Sequence, residues 1–130
     1  MKLSANFTLE RFFASESHPE IANAATYQDI VRGARLANLV LEPLLVLVPD
    51  LGVSSWFRCR SLNDAVGGVV TSEHRTGGGV DVFSGSKTPL ELIDIIKEAG
   101  LPFDQLIPYR DGHLHIGLRQ KNRGQVGKMK

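Results

Sequence analysis

Apolar and polar positions alternate along this chain with periods that change from helical to strand-like and back. In FTLERFF (7–13) a short apolar run follows Thr8, a helix-capping residue, so a brief opening helix is expected. Between Thr26 and Val48, apolar residues recur at Ile30, Ala34, Ala37, Leu41, Leu44 and Val48, and this spacing predicts the main packing helix. Pro43 should bend or interrupt it, because proline has no N–H to donate to the preceding turn. GVSSWF (52–57) reads as a short strand, and SLNDAVGG (61–68) as a helical turn ended by Gly67 and Gly68. The loop VVTSEHRTGGG (69–79) then leads into a strand, VDVFS (80–84). Helix signals are strongest at Thr88, where a cap, Pro89 at the first helical position and Glu91 in a capping box precede the apolar stripe of LELIDIIKEA, which Gly100 terminates. In FDQLIPYRDGHLHIGLR (103–119), Asp111-Gly112 between two apolar runs predicts a β-hairpin. Strands mixed with helices and closing in a hairpin predict an α+β fold, a small antiparallel sheet packed by helices.

Composition adds few constraints. At 130 residues and 14.2 kDa the chain has the size of one domain, spanning 1–130, with a single core. A net charge of +1 gives no general attraction to nucleic acid, and no nucleic-acid partner is expected. Charge is uneven, however: RQKNRGQVGKMK, from Arg119 onward, holds five basic residues and no acidic one. Such a segment is expected to be a flexible, solvated tail. The one cysteine, Cys59, excludes an internal disulfide and reads as a small packed residue rather than a nucleophile. The N-terminus carries no secretory signal, and the longest apolar stretch, LANLVLEPLLVLV, contains Glu42 and Pro43 and is too short to span a bilayer. Cytoplasmic synthesis is therefore expected, with no membrane segment and a monomeric chain.

The chemistry centres on Asp81, a carboxylate between Val80 and Val82 in an apolar strand. Such a group is costly unless its charge is compensated. A cation is one compensation. His74 lies seven residues upstream, and His113 and His115 alternate along the predicted hairpin strand so as to share one face. Two histidines and a carboxylate form a known set for catalytic zinc, leaving a fourth position for water. On the residues alone, Asp81 could equally cap a turn or pair with Arg58, with the hairpin histidines merely exposed.

FRCRSLNDAVGGVVTSEHRTGGGVDV (57–82), together with the later FDQLI and HLH and the opening LSANFTLERFFASES, resembles the M15-type zinc peptidases. Within that family it looks like the D-alanyl-D-alanine carboxypeptidase and phage endolysin branch, over roughly residues 3 to 118. The resemblance implies the fold shared with the hedgehog signalling domain, and one zinc ion (Zn2+) per chain held by His74, Asp81 and His115. It implies that Arg58, in the aromatic-arginine pair Phe57-Arg58, binds the substrate carbonyl or carboxylate and stabilises the developing oxyanion. Ser72, two residues before the first ligand, is implied to hydrogen-bond in the loop or contact substrate. Many relatives carry a glutamate where this chain has Tyr109. His113 is therefore the expected general acid/base, with Asp111 the second choice. Gly77, Gly78 and Gly79 read as a place where backbone passes close to the metal, Trp56 as core or cleft wall, and His18 as a bystander. The implied activity is hydrolysis of amide bonds in peptidoglycan stem peptides, acting on the wall or periplasm or as a virion component. The alternative is a non-catalytic domain that keeps zinc for stability.

Overall fold

The computed structural model describes residues 1–14, 18–69 and 71–130. The last residues of the opening motif (15–17) and residue 70 of the glycine-rich loop lie outside the described residues.

Helix α1 (Leu9–Phe13) starts where Thr8 accepts a hydrogen bond from the Arg11 N–H. Helix α2 (Tyr27–Leu36) opens with a reciprocal capping box between Thr26 and Asp29. The expected long helix is continuous but changes winding: Ala37–Leu41 forms a π-helical turn, in which the Glu42 N–H reaches back to the Ala37 carbonyl, before α3 (Glu42–Leu47) resumes. Pro43 offers no N–H at the point where regular winding would need one, and the widened turn before it absorbs that loss. Strand β1 (Leu51–Ser55) and helix α4 (Arg60–Ala65) follow, then a 3₁₀ turn (Glu73–Thr76), β2 (Gly79–Ser84) and α5 (Pro89–Glu98), which has the anticipated Thr88–Glu91 capping box. Strands β3 (Gln105–Pro108) and β4 (Leu114–Gly117) form the hairpin. The Gly112 N–H donates to the Tyr109 carbonyl and the Tyr109 N–H to the His113 carbonyl. Gly112, at φ 105°, supplies the positive dihedral that lets the chain turn back into β4.

The sheet order is β1-β2-β4-β3-β5, where β5 is Gln125–Val126. Two expectations need correction here. The sheet is not wholly antiparallel, because β5 runs parallel to β3. Nor is the basic segment after Arg119 a free tail: the Arg123 guanidinium meets the buried Asp104 carboxylate at 2.7 Å, and the Lys130 N–H donates to the Pro108 carbonyl at 2.8 Å. Asp104, in FDQLI, is the buried counter-charge that holds this segment.

Helices α2 and α3 and the π-helical turn between them place Leu36, Val40, Leu41 and Leu44 in one core with Val80 and Val82 of β2, Leu114 and Ile116 of β4, and Leu92 and Ile96 of α5. Phe12, Trp56 and Phe57 complete the core, with Phe12 and Trp56 edge-to-face at 5.4 Å. Val80 and Val82 face this core, so Asp81 between them faces the opposite side of the sheet.

Candidate metal centre

On that opposite face, β2 and β4 pair with Asp81 directly across from His115. His113 is two residues earlier in the same chain direction, and its Nε2 lies 3.8 Å from Asp81 Oδ2. His74 arrives from the 3₁₀ turn, whose start is capped by Ser72: its hydroxyl accepts the His74 N–H at 3.3 Å. Gly77, at φ 83°, ends that turn in a left-handed conformation against the Asp29 carbonyl, and a Cβ on Gly79 would sit 2.8 Å from the Glu73 carbonyl carbon. The glycines thus let β2 double back tightly under its own preceding turn, rather than simply approach the metal position. Trp56 is a core residue that fixes this turn. Its indole N–H donates to the Gly77 carbonyl, and its own carbonyl takes the His74 ring N–H.

The result brings His74, Asp81 and His115 together. His74 Nε2 is 3.1 Å from Asp81 Oδ1, His115 Nδ1 is 3.0 Å from the same oxygen, and the two ring nitrogens are 3.2 Å apart. Donors on the edges of a zinc tetrahedron, with bonds of about 2.0–2.1 Å, are separated by roughly 3.3 Å, so this spacing fits. The hydrogen-bonding of the far nitrogens fits too. His74 Nδ1 is 2.5 Å from the Trp56 carbonyl, and His115 Nε2 is 3.4 Å from Glu73 Oε1. Each acceptor claims the proton of one nitrogen and turns the other nitrogen's lone pair toward Asp81. Three electron-rich atoms then converge, and a cation could satisfy all of them.

The electrostatics of the bare cluster express the same crowding. Burial opposes ionisation of Asp81, yet when His115 and His74 carry protons in place of a cation, their hydrogen bonds hold its pKa well below the usual carboxylate range. Burial lowers the pKa of His74, whereas at His115 the carboxylates of Asp81 and Glu73 outweigh burial and push it up to about 9. The two imidazoles share one close carboxylate, and among the described residues only His115 has a second carboxylate to support a charge.

Around the cluster lies a cavity of about 560 Å³ whose lining includes Arg58, Ser72, Tyr109 and His113 beside the three donors. The Arg58 backbone N–H donates to the His74 carbonyl, and its side-chain Nε is buried without a hydrogen-bond partner among the described residues. His113 is oriented from behind: its Nδ1 is 2.5 Å from Asp111 Oδ1, and its ring stacks on Tyr109 at 4.1 Å with 14° between the planes. Asp111 is an exposed turn residue engaged with His113. Ser72 lines the cavity, but its hydroxyl also serves as the cap for the turn carrying His74. Cys59 packs by Ala22, and His18 pairs with Glu20.

Glu73 is the residue sequence reasoning missed. A glutamate between two polar loop residues reads as solvated, yet its side chain is 9% exposed and reaches His115. The available signal was Gly117, a glycine inside a strand, which marks a close approach. A side chain at Gly117 would collide with the Glu73 carboxylate.

A comparison with curated proteins found no match. A family model described as Peptidase M15 matches residues 44–117, 74 of the 130, and covers β1 through β4 with all three donors, Arg58 and His113. The chain therefore belongs to the peptidase M15 family.

Proposed function

We propose that this chain is a zinc-dependent peptidase hydrolysing amide bonds in the peptide stems of peptidoglycan, in the D-alanyl-D-alanine carboxypeptidase and endolysin branch of its family. The observation that supports the reading best is the convergence on one cavity of the His74–Asp81–His115 cluster, a buried arginine with an unpartnered Nε, and an oriented histidine. His74, Asp81 and His115 would hold one zinc ion, which when bound polarises a carbonyl and lowers the pKa of an attacking water. Arg58 presents positive charge to the substrate carbonyl or terminal carboxylate, strengthening its hold as negative charge develops. His113 accepts and returns a proton at Nε2, while Asp111 keeps the Nδ1 proton in place and so fixes the working tautomer. Tyr109 stacks flat against that imidazole and restricts its rotation. Asp111 is thus assigned to orientation rather than to proton transfer itself.

Among the described residues no helix is long and apolar enough to cross a membrane. We further propose cytoplasmic synthesis followed by action on the wall, from a lysing cell or a phage particle, as a monomer.

A second reading, a zinc-stabilised domain without catalysis, draws support from Tyr109 at the position where many relatives carry glutamate. Digestion of purified peptidoglycan, with mass spectrometry of the fragments, separates the two. The enzyme releases defined stem fragments in a zinc-dependent manner and identifies the bond cut. Wall that is bound and left intact by zinc-loaded protein would establish the second reading.

A further inference from the structure

We propose that Glu73 is the positioning residue of the cation site, holding the far nitrogen of His115 and tying that ligand, through Arg119, to the segment after β4. The inference rests on the proposed cation site at His74, Asp81 and His115.

The two histidines are oriented by different means. A backbone carbonyl, that of Trp56, holds His74, so no side-chain change removes it. His115 depends on a side chain: its Nε2 lies 3.4 Å from Glu73 Oε1. The carboxylate is buried, and a buried charge persists only where groups of opposite polarity surround it. Here the second oxygen, Oε2, is 3.3 Å from Arg119 Nε, and the same Nε is 3.3 Å from Asp104 Oδ2. Asp104 in turn holds Arg123.

Strand β4 is built around this contact. Its face toward the cluster carries His115 and Gly117, with His113 just before the strand, and the missing side chain at Gly117 is the space that the Glu73 carboxylate fills. Accepting the Nε2 proton leaves the Nδ1 lone pair directed at the donors of Asp81 and His74 and makes that nitrogen a stronger ligand. Because Glu73 directly precedes His74, one 3₁₀ turn supplies a ligand with one residue and orients the opposing ligand with its neighbour.

Zinc affinity of the full-length chain, measured by competition with a chromophoric chelator, tests the proposal. Glu73→Gln should bind zinc about 10-fold more weakly and Glu73→Ala up to about 100-fold, the range seen when such outer partners are removed. Arg119→Gln should produce a smaller loss that disappears in the Glu73→Ala background, because both act through one contact. The visible spectrum of the cobalt-substituted Glu73→Gln protein should shift as His115 reorients. Wild-type protein that takes up zinc while Glu73→Gln binds it within twofold, with an unchanged cobalt spectrum, overturns this inference and leaves the site intact. Wild-type protein that takes up no zinc overturns the site itself. Should Glu73→Ala fail to fold, Glu73→Gln and Arg119→Gln carry the test. Lower thermal stability of the metal-free variants with unchanged zinc affinity would reduce Glu73 to a fold residue and reject the proposal.

Discussion

His113 and His115 are two residues apart on one strand face, yet their surroundings divide their chemistry. His115 is nearly buried, between Asp81 and Glu73, so both of its nitrogens are committed. His113 sits at the cavity edge with one nitrogen on Asp111 and the other directed inward. Different outcomes follow for the two. His115→Ala should abolish stoichiometric zinc uptake, read by atomic emission on dialysed protein; full retention of metal would refute its role as a ligand. His113→Ala should keep the zinc and lose about 100- to 10,000-fold in stem-peptide turnover, the range for removing a general acid/base. Turnover within a factor of two of wild type would move proton transfer to another group. The type and alternation of these residues were legible in the HLH motif. The proposed division of labour was implied by the family resemblance; the contacts that support it, Glu73 on His115 and Asp111 on His113, were not legible, because they arise only after folding.

At the scale of elements, capping and termination were the most readable features. Thr8 and Thr88 cap the helices assigned to them, and Gly100 takes the positive φ of 67° expected past a helix end. These are local events, decided within four residues of chain, which explains their legibility. Pro43 shows the limit: its disruption was foreseeable, but a π-helical turn with the helix continuing depends on the packing of Leu41 and Leu44 in the core. The triple glycine is similar. Gly77→Ala should destabilise metal-free protein by roughly 1–3 kcal/mol, since alanine is strained at this positive φ and would press on the Asp29 carbonyl. Urea unfolding measures this, and a shift below a few tenths of a kcal/mol would mean that the turn relaxes without loss.

Two separate stabilising effects operate on the molecule as a whole. The C-terminal segment is held by buried Asp104, whose hydrogen bonds with Arg123 pull its pKa down to about 2. Because that value lies below the ordinary 3.8, the stabilisation is fully present above about pH 4 and disappears as pH falls toward 2. Metal-free Asp104→Asn should therefore unfold more easily than wild type at pH 6, by about 1–3 kcal/mol, with the difference closing near pH 2. A gap independent of pH would show that the charge is not responsible. Zinc would add to this: a ligand present at about 100 times its Kd stabilises the folded state by about 2.7 kcal/mol. Chelation should accordingly lower Tm, and an unchanged melting curve would argue that the cluster holds no tightly bound ion. The docked segment was unreadable from sequence because its five basic residues look solvated until Asp104 and Glu73 are found beneath them.

The sequence by itself determined the helices and the hairpin and singled out the three candidate donors that the fold brings together, since periodicity, caps and motif spacing act over short stretches of chain. It also identified the family from residue types in order. Tertiary structure alone decided that a glutamate would be buried behind His115, that Asp111 would contact His113, and that the segment after Arg119 would dock through Arg123 and a two-residue parallel strand. Those outcomes depend on charges brought together across distant chain segments, where burial weakens solvent screening and the compensating partners are set by the fold.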